Sequence, residues 1–162
     1  MTQPRWPQHQ NSPPTRVDEL REGDRYELSE GRAVYCAPAQ FKHGAPHALG
    51  PLPLASDPSV TEIGTDVGHV LGEGTLRAPD LSVGEMGAAE GGWATKAPPL
   101  AVEYASQGQD EADLQLKIKL LLGAGTRFVW VVRLAGPRRV EVYEKGRAVQ
   151  TRLPGERLEA PG

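Results

Sequence analysis

The run Phe128-Val129-Trp130-Val131-Val132 constrains this chain more than any other stretch. Five consecutive β-formers with no alternating polar residue belong to a strand covered on both faces, so a central strand with elements above and below it is predicted here. The neighbouring sequence supplies those elements. Arg139-Val140-Glu141-Val142-Tyr143 alternates after the turn Gly136-Pro137 and predicts an antiparallel hairpin partner. Leu100 to Ala105 is an apolar run of strand length interrupted by one carboxylate, Glu103, and is expected beside the central strand. Between the two, Asp110 to Gly123 has helical periodicity, with Gly123 and Gly125 as stop signals.

Elsewhere the chain is punctuated heavily. Nineteen glycines and fifteen prolines in 162 residues place much of the length in turns and loops, which excludes long bundles and coiled coils. Arg25 to Leu28 and Arg32 to Tyr35 alternate around Ser29-Glu30-Gly31 as a hairpin. Val67 to Leu71 and Arg77 to Val83 predict two short strands, the second carrying Pro79. The segment from Pro38 to Thr61 holds Pro46, Pro51, Pro53 and Pro58 and reads as mostly irregular. Residues 1–15 read as a disordered arm, 16–150 as one domain and 151–162 as a flexible tail. The order of elements predicts an α/β fold with a mixed sheet.

Several function classes drop out. The single cysteine, Cys36, allows neither an internal disulfide framework nor a cysteine-based zinc site. No stretch approaches eighteen apolar residues, and the first ten lack the apolar block of a signal peptide, so a cytoplasmic protein without membrane association is expected. A formal charge of −3 gives no global basic field, so a nucleic acid would have to meet a local patch. Arg133, Arg138, Arg139, Lys145, Arg147, Arg152 and Arg157 are candidates for it, against the simpler reading of a solvated hairpin face. His43, His47 and His69 are not read as the helical pair of ligands that a zinc enzyme would display, and His43 reads as a solvated loop histidine against a substrate-contacting one.

Four misplaced charges carry the chemistry. At about 100° per residue, Asp113 and Lys117 stand one turn apart within the apolar arc of the expected helix, whereas Gln115 and Lys119 occupy its solvent face. An ordinary i,i+4 ion pair would explain the two. Glu103, however, sits in an apolar strand one short loop away, and Asp80 follows Pro79 beside apolar residues. Two carboxylates near one lysine suit a hard divalent ion such as Mg²⁺ and point to phosphodiester hydrolysis.

These residues resemble a known family. Pro79-Asp80, the strand Val102-Glu103-Tyr104 and a helix bearing Asp113 and Lys117, ten and fourteen residues beyond the glutamate, are similar to the PD-(D/E)XK nuclease superfamily and within it to the Uma two family of putative restriction endonucleases. Tyr26-Glu27-Leu28 with Glu30-Gly31, Ala124-Gly125 and the aromatic strand after it match the same pattern, so the resemblance covers about Tyr26 to Tyr143. The superfamily's Glu-x-Lys triplet is absent, with Ala105 in the lysine position, and Lys117 takes that role by resemblance. Ser106-Gln107-Gly108 departs from the family's Ser-Pro-Ser, and the long helix after its Pro-x-His motif, to which His43 corresponds, is destroyed or shortened by Pro46, Gly50, Pro51 and Pro53.

The resemblance implies a restriction-endonuclease-like mixed β-sheet core flanked by helices. It implies Mg²⁺ or Mn²⁺ held by Asp80 and Glu103, with Lys117 supporting the attacking water and Glu27 and Asp113 shaping the site. DNA is then the partner and a homodimer is open. A rival from another class is a DNA-binding or interaction domain that keeps the fold without turnover.

Overall fold

Residues 12–38, 41–87 and 92–160 are described by a computed structural model. Among them are ten strands and three α-helices: β1 Tyr26–Ser29, β2 Arg32–Tyr35, α1 Phe41–Leu49, α2 Pro51–Ala55, β3 Ile63–Thr65, β4 His69–Gly72, β5 Thr75–Arg77, β6 Leu81–Val83, β7 Leu100–Ala105, α3 Glu111–Ala124, β8 Phe128–Arg133, β9 Arg139–Glu144 and β10 Gln150–Arg152. They form a six-stranded sheet ordered β10-β9-β8-β7-β6-β3 and a four-stranded sheet ordered β2-β1-β5-β4.

The apolar run lands where its composition requires. β8 runs parallel to β7 and antiparallel to β9, with Val129, Trp130 and Val131 buried. A parallel neighbour needs a crossover, and α3 provides it. Its Leu114, Ile118 and Leu121 pack on Ala101, Ala105, Val129 and Val131, while Val102, Tyr104 and Trp130 fill a second core on the opposite face. That alternation of period two puts Glu103 on the α3 face, and it fixes where the charges can meet. The Asp110 side chain accepts from the Asp113 N–H at 3.0 Å and caps α3, a contribution of about 1 kcal/mol.

Three expectations need correction. First, Gly123 lies inside α3, and only Gly125, at φ 115°, ends it. Second, Arg77 to Val83 is not one strand, because Ala78-Pro79-Asp80 turns the chain from β5 in one sheet to β6 in the other. Pro79 has no N–H for a ladder, so the break falls at that residue. The mixed sheet is accordingly joined by a second, smaller one. Third, the segment read as irregular contains α1 and α2. Pro46 sits within α1 and Pro51 at the start of α2, where its missing donor costs nothing, so the prolines divide the helical segment at Gly50 instead of abolishing it.

At the chain ends, the disordered-arm expectation falls mostly on residues outside the described ones. Of those described, Pro14 is fully buried and the Thr15 N–H donates to Glu19 Oε2 at 2.7 Å. β10 spans the boundary read at residue 150, and Leu158 and Ala160 pack against the core of Val102 and Trp130.

Gly50 has φ −60°, so any residue could adopt its backbone; what matters is space. A Cβ there would overlap the Tyr104 hydroxyl and approach the Pro46 carbonyl oxygen to 2.7 Å. Gly50→Ala should therefore push Tyr104 and the α1 to α2 junction apart, lowering stability by about 1–3 kcal/mol in chemical denaturation. Gly108→Ala, with open space around its Cβ but a φ of +86°, should cost only the smaller backbone strain.

Candidate active site

The turn Ala78-Pro79-Asp80 is the centre of the charged cluster. Antiparallel pairing of β6 with β7 matches Leu81 to Val102, so Asp80, one residue before the strand, stands level with Glu103. Above them lies α3, one turn of which carries Asp113 and Lys117 toward the two sides of the same corner.

Lys117 is buried, and its Nζ lies 2.8 Å from Glu103 Oε1 and 3.7 Å from Glu27 Oε1 while donating to the Ala78 carbonyl oxygen at 2.7 Å. Arg77, almost wholly buried, holds the other side. Its Nε lies 2.7 Å from Glu27 Oε2, its two terminal nitrogens reach Asp113 at 3.0 and 2.8 Å, and it also donates to Ser29 Oγ. Glu27 thus bridges a guanidinium and an ammonium. Asp113 pairs with Arg77 in a two-pronged geometry, so the plain i,i+4 pair with Lys117 is not what holds it.

Asp80 faces a different group. Its Oδ2 accepts the Tyr104 N–H at 2.7 Å, and its Oδ1 lies 3.1 Å from His47 Nε2. His47 comes from α1 with its ring 5.3 Å from that of Tyr104. Asp66, just after β3 with φ 52°, brings a third donor, and one ligand atom each from His47, Asp66 and Asp80 lies within 4.8 Å of the others. Among the described residues this is the set of three that could hold a metal ion, and Glu103 is not a member of it.

Burial and charge set the protonation states. Burial pushes the Glu103 carboxyl up to about 7, Asp80 and Glu27 push the same way, and Lys117 opposes them. For Lys117 burial disfavours the charge, but the carboxylates of Glu103, Glu27 and Asp80 outweigh it and the ammonium holds its proton more tightly than usual. Asp113 is likewise penalised by burial, yet Arg77 holds its carboxyl below the ordinary range. Hydrogen bonding to Asp80 raises the affinity of His47 for its proton, and burial raises that of Asp66. Cys36 donates to Glu27 Oε1 at 3.5 Å; burial and that carboxylate push its thiol up to about 12, which keeps it from being a nucleophile.

The structure therefore brings Glu27, Glu103 and Lys117 together, ties Asp113 to them through Arg77, and sets Asp80 toward His47 and Asp66. Arg77, His47 and Asp66 were missed in the sequence. Arg77 carried a signal, a cation at the end of a short apolar strand two residues before Pro79. His47 carried one also: it stands four residues after His43, and with α1 present the two are one helical turn apart. The side chain of His43 itself lies outside the described residues.

The basic set near the C-terminus is largely engaged by carboxylates. Arg133 pairs with Glu111 and Glu141, Arg139 with Glu141, Arg147 with Glu144 and Arg157 with Glu159. That favours a solvated, internally paired face over a dedicated phosphate surface.

A mixed sheet with a crossover helix, carrying carboxylates and a buried lysine at a strand corner, defines a protein of the restriction-endonuclease-like fold. The solved "putative nuclease belonging to DUF820 from Anabaena variabilis ATCC 29413" superposes with a TM-score of 0.73 over 88% of this chain and 86% of that one, at 20% identity, and so shares the fold. The sequence profile of Uma2, described as "Putative restriction endonuclease", matches residues 6–162, and the chain belongs to that family. No curated protein matches it. The family resemblance read from Tyr26 to Tyr143 thus extends over nearly the whole sequence.

Proposed function

We propose that this protein hydrolyses DNA phosphodiester bonds with the help of a divalent metal ion held by Asp80 and Glu103. The observation that carries the reading is the buried pair of Glu103, on the strand beside Asp80, and Lys117 from α3, 2.8 Å apart. A structural ion pair would do as well with an apolar replacement, whereas here the carboxylates of Glu27, Glu103 and Asp113 converge on Arg77 and Lys117 in a family described as putative restriction endonucleases. The donors suit a hard cation in kind: carboxylate oxygens, Asp80 from the turn just before β6 and Glu103 from the neighbouring β7, the latter a carboxyl that burial alone disfavours as an anion. Bound there, Mg²⁺ or Mn²⁺ supplies Lewis-acid polarisation of a phosphoryl oxygen and a more acidic water.

The chain's own groups have separable tasks. Lys117 keeps Glu103 oriented and places a fixed positive charge where negative charge grows on the phosphate. Arg77 neutralises Glu27 and Asp113, so the cluster folds without leaving buried carboxylates uncompensated. The Tyr104 N–H fixes one oxygen of Asp80 and leaves the other toward the ligand side. Among the described residues no helix is long and apolar enough to cross a membrane.

Asp80→Asn should cut supercoiled plasmid at least about 100-fold more slowly than the parent, since a neutral amide removes one charge from the metal's environment. Cleavage by Asp80→Asn at the parent's rate would remove Asp80 from the reaction.

A further inference from the structure

His47, Asp66 and Asp80 come from three separate elements: α1, the turn after β3 and the corner before β6. The first and last are already spaced as neighbouring ligands of one ion. With metal–ligand bonds of about 2.1 Å, two adjacent octahedral positions lie about 3.0 Å apart and two opposite ones about 4.2 Å. His47 Nε2 and Asp80 Oδ1 are 3.1 Å apart, and all three donors fall within 4.8 Å. Only a small contraction is required, and Asp66 is the exposed member that can make it. The other two are fixed: Asp80 by the Tyr104 N–H, His47 by its position in α1 against the Tyr104 ring. This nitrogen donor is not among the ligands proposed above, and it changes which metals the site prefers. Imidazole suits transition ions, whereas Mg²⁺ and Ca²⁺ favour oxygen alone.

We propose that His47 and Asp66 join Asp80 in holding the divalent ion, and that the imidazole makes the site selective for Mn²⁺-like transition metals over Mg²⁺. The inference rests on the reading of Asp80 as a metal ligand. It adds two donors on the α1 side of Asp80 to the ion proposed above, with α1 delivering the imidazole. α1 carries His47 to within 3.1 Å of Asp80.

The test is Mn²⁺ binding to the full chain, followed by electron paramagnetic resonance with detection of nitrogen coupling. The parent should bind Mn²⁺ with the modulation of one directly bound imidazole, and tenfold more Mg²⁺ should fail to displace it. His47→Gln should lose the nitrogen signal and bind Mn²⁺ at least about tenfold more weakly. Asp66→Asn, at an exposed position, should weaken Mn²⁺ binding without altering the thermal melt. Bound Mn²⁺ with no nitrogen coupling in the parent overturns the inference, as does coupling that persists in His47→Gln. The parent spectrum decides even if His47→Gln folds poorly. A parent with nitrogen-bound Mn²⁺ that cuts no DNA supports this site and counts against the proposed hydrolysis; one that cuts DNA with Mn²⁺ but lacks the coupling does the reverse.

Discussion

Lys117→Met is expected to keep the fold, bind metal about as well as the parent and lose at least about two orders of magnitude in DNA cleavage, the loss typical of removing one electrostatic group at a transition state. The ammonium touches Glu103 and the Ala78 carbonyl and lies near Glu27, so its removal also leaves buried acids facing one another. In metal-free buffer the variant should therefore melt lower, by an amount of order 3 kcal/mol. Added Mg²⁺ or Mn²⁺ should restore the melt without restoring cleavage. Lys119→Met, on the exposed side of the same helix, should change neither. Equal plasmid cleavage by the parent and Lys117→Met would show that this lysine is structural.

A second large effect is expected in the dependence of stability on pH. The Glu103 carboxyl is pushed up to about 7 in the fold from an ordinary 4.5, so the folded chain binds this proton more tightly than the unfolded one. Between those two values unfolding releases the proton. The contribution of Glu103 is therefore most favourable below about pH 4.5 and is lost as pH rises through about 7, by about 3 kcal/mol at 1.36 kcal/mol per pH unit. Asp113 has the opposite sign: its carboxyl is lowered by Arg77, so its stabilisation is present above its unfolded value and is lost as pH falls below the ordinary range. Chemical denaturation of parent and Glu103→Gln from pH 5 to pH 8 in chelator separates the two. The difference between the proteins should change steadily across that window, the parent losing stability relative to Glu103→Gln as pH rises. Parallel curves would mean that Glu103 is an ordinary carboxylate.

What could be read in advance follows from range. β8 opens on an unbroken run of β-formers, β7 is an apolar run with one carboxylate and β9 alternates, and these local patterns predict their identity and order, as they do α3 with its two inward charges. Glu103, Asp113 and Lys117 were legible because a charge in an apolar strand or helical arc is anomalous whatever surrounds it, whereas Glu27 was implied only by the family resemblance. The parts that escaped depend on tertiary context. Prolines at 46, 51 and 53 argue against a helix locally, yet Gly50 fits against Tyr104 and allows two short helices in succession. The change of sheet at Pro79 could not be told from a single edge strand until β5 was seen pairing with β1 and β6 with β7. Asp66 is unremarkable in sequence, and the spacing of His47 from His43 has meaning only once α1 is present; a turn and a helix from distant positions bring both to Asp80.

Purified full-length protein incubated with supercoiled plasmid, with Mg²⁺, with Mn²⁺ and with chelator in excess, tests the central claim most directly. Conversion to nicked and linear forms with either metal, and none with chelator, is the result predicted. Intact plasmid under every condition, with the same protein retarding DNA on a gel, would contradict hydrolysis and favour a fold that binds DNA without cutting it.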